Sequence, residues 1–427
     1  MIPGEASSTC SVQVREDGYI IGLTPLLRAA LHSEDLRPTG AALLSHLQDN
    51  PDDANALMDL STVLQLLGDP ATALNIQNEA LRLNRHYRVS TATATGAPAR
   101  LRLLALMVPG DLMANTPIDC LMVDSDIALE LLFLYPDEPP PDTVPDHDVL
   151  LVAIGECDRT QPMLARLGSW LAGWPRPVLN HPARIQLLSR DRASATLAGA
   201  NGICMPPTQR VTRDVLADIA GRRADIGQAL GGGGFPVIVR PLDSHAGKGL
   251  DRIDSNAALS VYLDGMADTE DVFYLSRFID YCSADGLFRK YRVVLIKGTP
   301  HLCHLGISSH WMIHYLNAGM VESEVKREEE ARAMLEFDAG FAQRHALALS
   351  QICQRFGLDY LGVDCAETRS GELLVFEVDT GMIVHNVDPI DLFPYKQPQM
   401  RKVFDAFHAM LLGAVQSEVS NEVQGLM

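Results

Sequence analysis

The stretch LDYLGVDCAETRSGELLVFEVDTGMIVHN, residues 358–386, restricts the fold more than any other part of this chain. It reads as two β-strands joined by a turn at Arg369-Ser370-Gly371. Asp364 ends the first strand, and Glu377 and Asp379 lie two apart on the second, so their side chains share a face. The hairpin can bring Asp364 close to them, and three carboxylates then converge. Leu373, Leu374, Val375, Phe376 and Val378 are apolar on both faces of the second strand, which favours burial over a solvated acidic hairpin. Buried like charges repel, and hard oxygen ligands suit Mg²⁺ or Mn²⁺, so a divalent cation is expected between them.

A second pattern stands well upstream in FPVIVRPLDSHAGKGL, Phe235 to Leu250. A buried strand ends in Arg240 and runs into a loop with small Ser244, Ala246, Gly247 and Gly249 and cationic Lys248. Glycine lets backbone N–H groups approach an anion, and Lys248 can neutralise charge there. The spacing differs from a P-loop, and taken alone the motif is equally compatible with a plain hairpin turn. The GGGGF run at 231–235 lies on the wrong side of the strand for a phosphate cradle and reads as a tight turn.

A chain of 427 residues exceeds what one hydrophobic core serves, so several packed units are expected. The net charge of −19 disfavours nucleic acid and anionic membrane as partners. The first twenty residues lack a basic start followed by an apolar run, and no stretch reaches the ~18 apolar residues of a membrane helix, so a soluble cytoplasmic protein is expected. Eight scattered cysteines, none spaced for zinc or a redox dithiol, fit reduced thiols.

Residues 1–95 read as short helices punctuated by SEDLRP, NPDD and LGDP. Residues 50–87 look like one tetratricopeptide repeat, with Leu57, Leu60 and Leu64 on one helix, Gly68 at the turn, and Ala73 and Ala80 at the crossing. This region is either a helical cap or a groove for a peptide or carrier protein. From Leu101 the character changes: strand candidates in LRLLALMVPG, LELLFLYP and HDVLLVAIGE alternate with helix-like QPMLARLGSWLAGW, as in a small parallel α/β unit over 100–205 that should end near residue 186 in its core. The proline-rich DEPPPDTVPD at 137–146 reads as a surface loop.

The order of these elements resembles the ATP-grasp superfamily over roughly residues 101–412, the fold of D-alanine:D-alanine ligase, glutathione synthetase and the ribosomal-protein glutamate ligase. The resemblance implies an α/β (α+β) protein: a small α/β domain, then a first ATP-grasp subdomain over 206–280 and a second, carrying the metal site, over 281–415. PVLNHPARIQLLSRDRASATLAGANGICMPPTQRV looks like the family's approach to the fold, with Asn180, Pro182 and Asp191-Arg192 at matching positions. By resemblance Arg192 and Arg240 contact the nucleotide, Arg240 replacing a family lysine at the adenine and α-phosphate. Ser244, Gly247, Lys248 and Gly249 close over the β and γ phosphates, and the backbone of Arg277, Phe278 and Ile279 meets the adenine edge. Asp280 or Asp285 binds the ribose. Arg292, in FRKYRVVLIKG, clamps the γ-phosphate and the acyl group, and Lys290 replaces a family Asp. Asp364, Glu377 and Asp379 fall on the Mg²⁺ ligands, the last an acid where the family usually has Asn.

What the resemblance implies is phosphoryl transfer from ATP to a carboxylate, giving an acyl phosphate that an amine attacks, with Arg292 and Lys248 as the catalytic cations. The expected partners are a small-molecule carboxylate and amine, with a homodimer left open. Among the histidines of HLCHLGISSHWMIHY, His310 is the candidate substrate contact, together with His385 and Asn180. Two alternatives stand beside this: a ligase whose peptide or protein acceptor docks on the helical region, and a non-catalytic ATP-binding scaffold or sensor.

Overall fold

The computed structural model describes residues 17–90, 99–242, 244, 247–267, 269–314 and 317–425. Of the phosphate-loop segment, Ala246 lies outside the described residues. The architecture is mixed α/β, with three sheets among the described residues, and the chain divides into two compact units: residues 1–182 with 380–427, and residues 183–379.

The first unit opens with four helices: α1 (Leu23–Leu31), α2 (Arg37–Asp49), α3 (Ala54–Leu66) and α4 (Pro70–Leu83). Asp53 caps α3 by accepting from the N–H groups of Asn55 and Ala56, and Asp69 caps α4 from Thr72, with Pro70 at the first turn. α3 packs on α4, and Ala73 and Ala80 are fully buried. Leu26, Leu43, Leu60 and Val63 form the apolar centre of this region.

The chain then enters β1 (His86–Val89), followed by β2 (Leu101–Met107), β3 (Ile127–Phe133), β4 (Val149–Val152) and β5 (Val178–Leu179). Their order is β1-β3-β2-β4-β5, parallel except for β1, which runs antiparallel to β3. β1 lies within the segment expected to be helical; Tyr87 and Val89 alternate inward with period two as the strand pairs with β3, and Val89 also bridges Ile20. The helix Lys396–Gly425 closes the chain and belongs to this unit. No described helix is long and apolar enough to cross a membrane.

The second unit holds two antiparallel sheets. The smaller has the order β7-β10-β8-β9, made of β7 (Thr208–Thr212), β8 (Val237–Pro241), β9 (Asp251–Ile253) and β10 (Val272–Arg277). The larger has the order β12-β11-β13-β14-β6, made of β6 (Ile203–Cys204), β11 (Phe288–Ile296), β12 (Thr299–Ser308), β13 (Tyr360–Glu367) and β14 (Leu373–Asp379). β6 alone pairs parallel, to β14. The β11–β12 turn is made by Lys297 and Gly298, with φ of 49° and 83°; two successive positive φ values define the tight turn whose twist matches the flanking strands. The expected turn at 369–371 joins β13 to β14.

Candidate active site

In the larger sheet of the second unit, the strand register sets Arg292 on β11 opposite Asp364 on β13, and Asp364 opposite Glu377 on β14. Residues directly opposite one another share a face, so one row of side chains crosses three strands. Lys290, two residues before Arg292, and Asp379, two after Glu377, lie on the same face. The register shifts next to Arg292 and next to Asp364, and such bulges re-aim the neighbouring side chains.

Asp364 and Glu377 are engaged by cations. Arg292 donates to both oxygens of Asp364, from Nε at 2.8 Å and a terminal guanidinium nitrogen at 3.0 Å. Lys290 Nζ lies 2.7 Å from Oδ2 of the same carboxylate, whose side chain is 3% exposed. Burial alone pushes the Asp364 carboxyl up, but Arg292 and Lys290 outweigh it and hold the group far below the usual carboxylate range. Arg190, at the start of the helix Arg190–Leu197, donates to Glu377 Oε1. Burial opposes the charge on Glu377, while Arg190, Arg240 and Lys290 together lower its pKa against the repulsion of Asp364.

Arg240, near the end of β8, is 7% exposed and donates to the hydroxyl and carbonyl oxygens of Ser244. Burial first, and Arg190 second, pull its pKa down to about 10. Ser244 in turn donates to the Pro241 carbonyl at 2.9 Å, so its hydroxyl braces the loop. Gly249 is at φ 66°, and a Cβ there would stand 2.9 Å from Pro241, so the turn closes only on glycine. Gly247 lies over Met312, and Lys248 is exposed.

The other residues expected at the nucleotide have these surroundings. Arg192 is exposed and donates to the Gln186 carbonyl; Arg190, two residues earlier and on the other side of the same helix, faces the acidic row instead. The Phe278 N–H already donates to the Pro236 carbonyl, and the Phe278 ring carries Arg252 over one face and Trp311 at its edge. Arg277 ends β10 exposed, and Ile279 is packed beside Tyr281. The ribose candidates are both ion-paired, Asp280 with Arg369 and Asp285 with Arg289.

Among the histidines, His310 is exposed, and its Nδ1 accepts from the Met312 N–H. His314 is nearer the row: burial, then Lys290 and Arg292, lower its pKa and keep the imidazole neutral. His385 and Asn180 belong to the first unit. There His385 accepts from Val387 N–H and stands 3.8 Å from Asp388, while Asn180 is fully buried with φ 53°, a position of backbone constraint. Arg190 and His314 stand outside the expected set, and no sequence pattern marked Arg190.

Among the described residues no group of three or more His, Cys, Asp or Glu stands close enough to hold a metal ion. Asp364 and Glu377 are adjacent, but each oxygen that would serve a divalent ion at Asp364 already faces Arg292 or Lys290. Asp364 thus meets Arg292 and Lys290 where the sequence reading expected a divalent ion.

The protein is thus an α/β chain with a cation-rich sheet face. Its structure is similar to that of VanG D-Ala:D-Ser ligase from Enterococcus faecalis, at 13% identity and a TM-score of 0.44 over 74% of this chain and 99% of that chain. It is also similar to a D-alanine-D-alanine ligase from Coxiella burnetii, at 11% identity and 0.46 over 76% and 98%, and to a RimK domain ATP-grasp protein from Sphaerobacter thermophilus, at 18% and 0.39 over 74% and 99%. No family model matches the chain, and no curated protein matches it.

Proposed function

We propose that the second unit is an ATP-grasp nucleotide site that activates a carboxylate for attack by an amine. The observation that carries this is the convergence of Arg190, Arg240, Lys290 and Arg292 about Asp364 and Glu377. Buried Arg clusters recognise phosphate by paired, planar donors, and such fixed charges stabilise a transferring phosphoryl group without reorganising. In the first step a carboxylate oxygen attacks the γ-phosphorus, the bond to the bridging oxygen breaks, and ADP leaves with the electron pair. In the second, the amine nitrogen attacks the acyl carbon, phosphate departs, and the amine proton passes to a base. Neutral His314, beside Lys290 and Arg292, is suited to accept that proton. Arg292 is braced by Asp364 so that its planar fork keeps one orientation.

The full pairing of Asp364 favours a second reading, in which the nucleotide is bound without turnover. The two are separated by product analysis. The purified protein is given ATP with pooled amino acids, dipeptides and small carboxylic acids, beside a Glu377→Gln control. Substrate-dependent ADP and phosphate, lost in the control, support ligation. AMP and pyrophosphate contradict it, and binding with no product supports the scaffold.

A further inference from the structure

Resting on the nucleotide reading above, we infer that Lys290 takes the place of a divalent cation at Asp364, so that the site neutralises a nucleoside triphosphate with its own side chains. Oδ1 of Asp364 receives Arg292 Nε at 2.8 Å, and Oδ2 receives both Arg292 at 3.0 Å and Lys290 at 2.7 Å. A metal ion bound to this carboxylate would share Oδ1 with Arg292 or displace Arg292 or Lys290 from Oδ2, and in each case two cations would crowd one buried group. Lys290 is further held by the Ile313 carbonyl at 3.3 Å, and the Asp364 side chain is 3% exposed, so a displaced partner leaves a buried charge uncompensated.

The balance of charge points the same way. Arg190, Arg240, Lys290 and Arg292 are four positive groups against Asp364 and Glu377, an excess of two; counting Asp379 as well, the excess is one. A positive row repels a second cation and attracts a polyphosphate. Arg190 and Arg240 also repel each other, a cost that Glu377 offsets in part and a bound anion would offset further. Arg240 comes from the smaller sheet and the Lys290–Arg292–Asp364 set from the larger, so phosphate would be gripped from both.

The test uses the full-length protein and two probes. Manganese is titrated alone, with free Mn²⁺ followed by electron paramagnetic resonance, into wild type, Lys290→Gln and Lys290→Asp, each checked for fold by circular dichroism. Any Mn²⁺ binding by wild type should be at least about 10-fold weaker than that by either variant. ATP is then titrated calorimetrically in excess EDTA and in Mg²⁺, where wild-type affinity should agree within about threefold. A wild-type Mn²⁺ site unchanged in Lys290→Gln overturns the inference. So does ATP binding that vanishes in EDTA, which leaves the nucleotide reading intact. Absence of ATP binding in both buffers defeats the nucleotide reading, and the inference with it.

Discussion

Arg292 and Asp364 face each other across β11 and β13 and are joined by two hydrogen bonds, at 2.8 and 3.0 Å, in a fork-to-carboxylate pair. Lys290 completes the set from the same strand as Arg292. Removing one partner leaves the others charged in a buried place, so Asp364→Asn should destabilise the protein by about 3–5 kcal/mol, and the Asp364→Leu/Arg292→Met double variant by less than the single. Urea denaturation measures both; a cost for Asp364→Asn under about 1 kcal/mol contradicts the pairing described here.

The same row sets the response to acid. His314 is held below its ordinary pKa, so the unfolded chain takes up that proton first, and stability falls as pH drops below about 6.5. Asp364 is also held below its ordinary range, so its contribution is present above about 3.9 and is lost as pH falls further. The melting temperature should therefore fall in two stages on acidification. His408 is likewise lowered by burial, so His314→Gln should reduce the first stage and Asp364→Asn flatten the second; a curve unaltered by either places the acid lability elsewhere.

Arg190 and Arg192 offer a paired comparison on one helix. Arg190→Ala removes a cation from Glu377 and should weaken ATP binding by about 10- to 100-fold, the worth of a charge-assisted hydrogen bond. Arg192, exposed and turned to Gln186, should tolerate alanine with less than about a twofold change in calorimetric affinity. Equal losses at both positions would show that the helix as a whole, rather than Arg190, carries the effect.

Two glycines separate backbone strain from steric conflict. Gly298→Ala, at φ 83° with open space around it, should cost about 1 kcal/mol. Gly249→Ala meets Pro241 at 2.9 Å as well as a positive φ of 66°, and should cost more, about 2–3 kcal/mol, while loosening the loop that Arg240 braces through Ser244. Thermal denaturation of the two variants side by side checks the order.

Deletion of residues 1–95, the natural cut from the sequence, removes β1 and strips the edge from β3. It also uncovers Cys120 and Val387, which pack with Leu27. The truncated protein is expected to aggregate, as read by size-exclusion chromatography. A well-behaved monomer would mean that the helices and β1 are dispensable for the first unit, and would make the truncation a usable test of acceptor docking.

Local pattern alone specified much of this chain. The apolar runs at 101–107, 149–152 and 373–379 form strands because their side chains have no other way to leave water, and the turn at 369–371 follows from its composition. The placing of Asp364 beside Glu377 was legible because a short turn admits one antiparallel pairing. Tertiary structure decided what those carboxylates touch. Arg190 reaches Glu377 across 187 residues and Arg292 reaches Asp364 across 72, and no local pattern encodes contacts set by the register of distant strands and by which side of a helix turns inward. The same holds for the Phe278 N–H, consumed by Pro236, and for β1, whose two inward residues take their place by pairing with β3. Residue type and spacing determined which charges this face carries; strand register determined which of them pair, because partners in a sheet are chosen by geometry and not by distance along the chain.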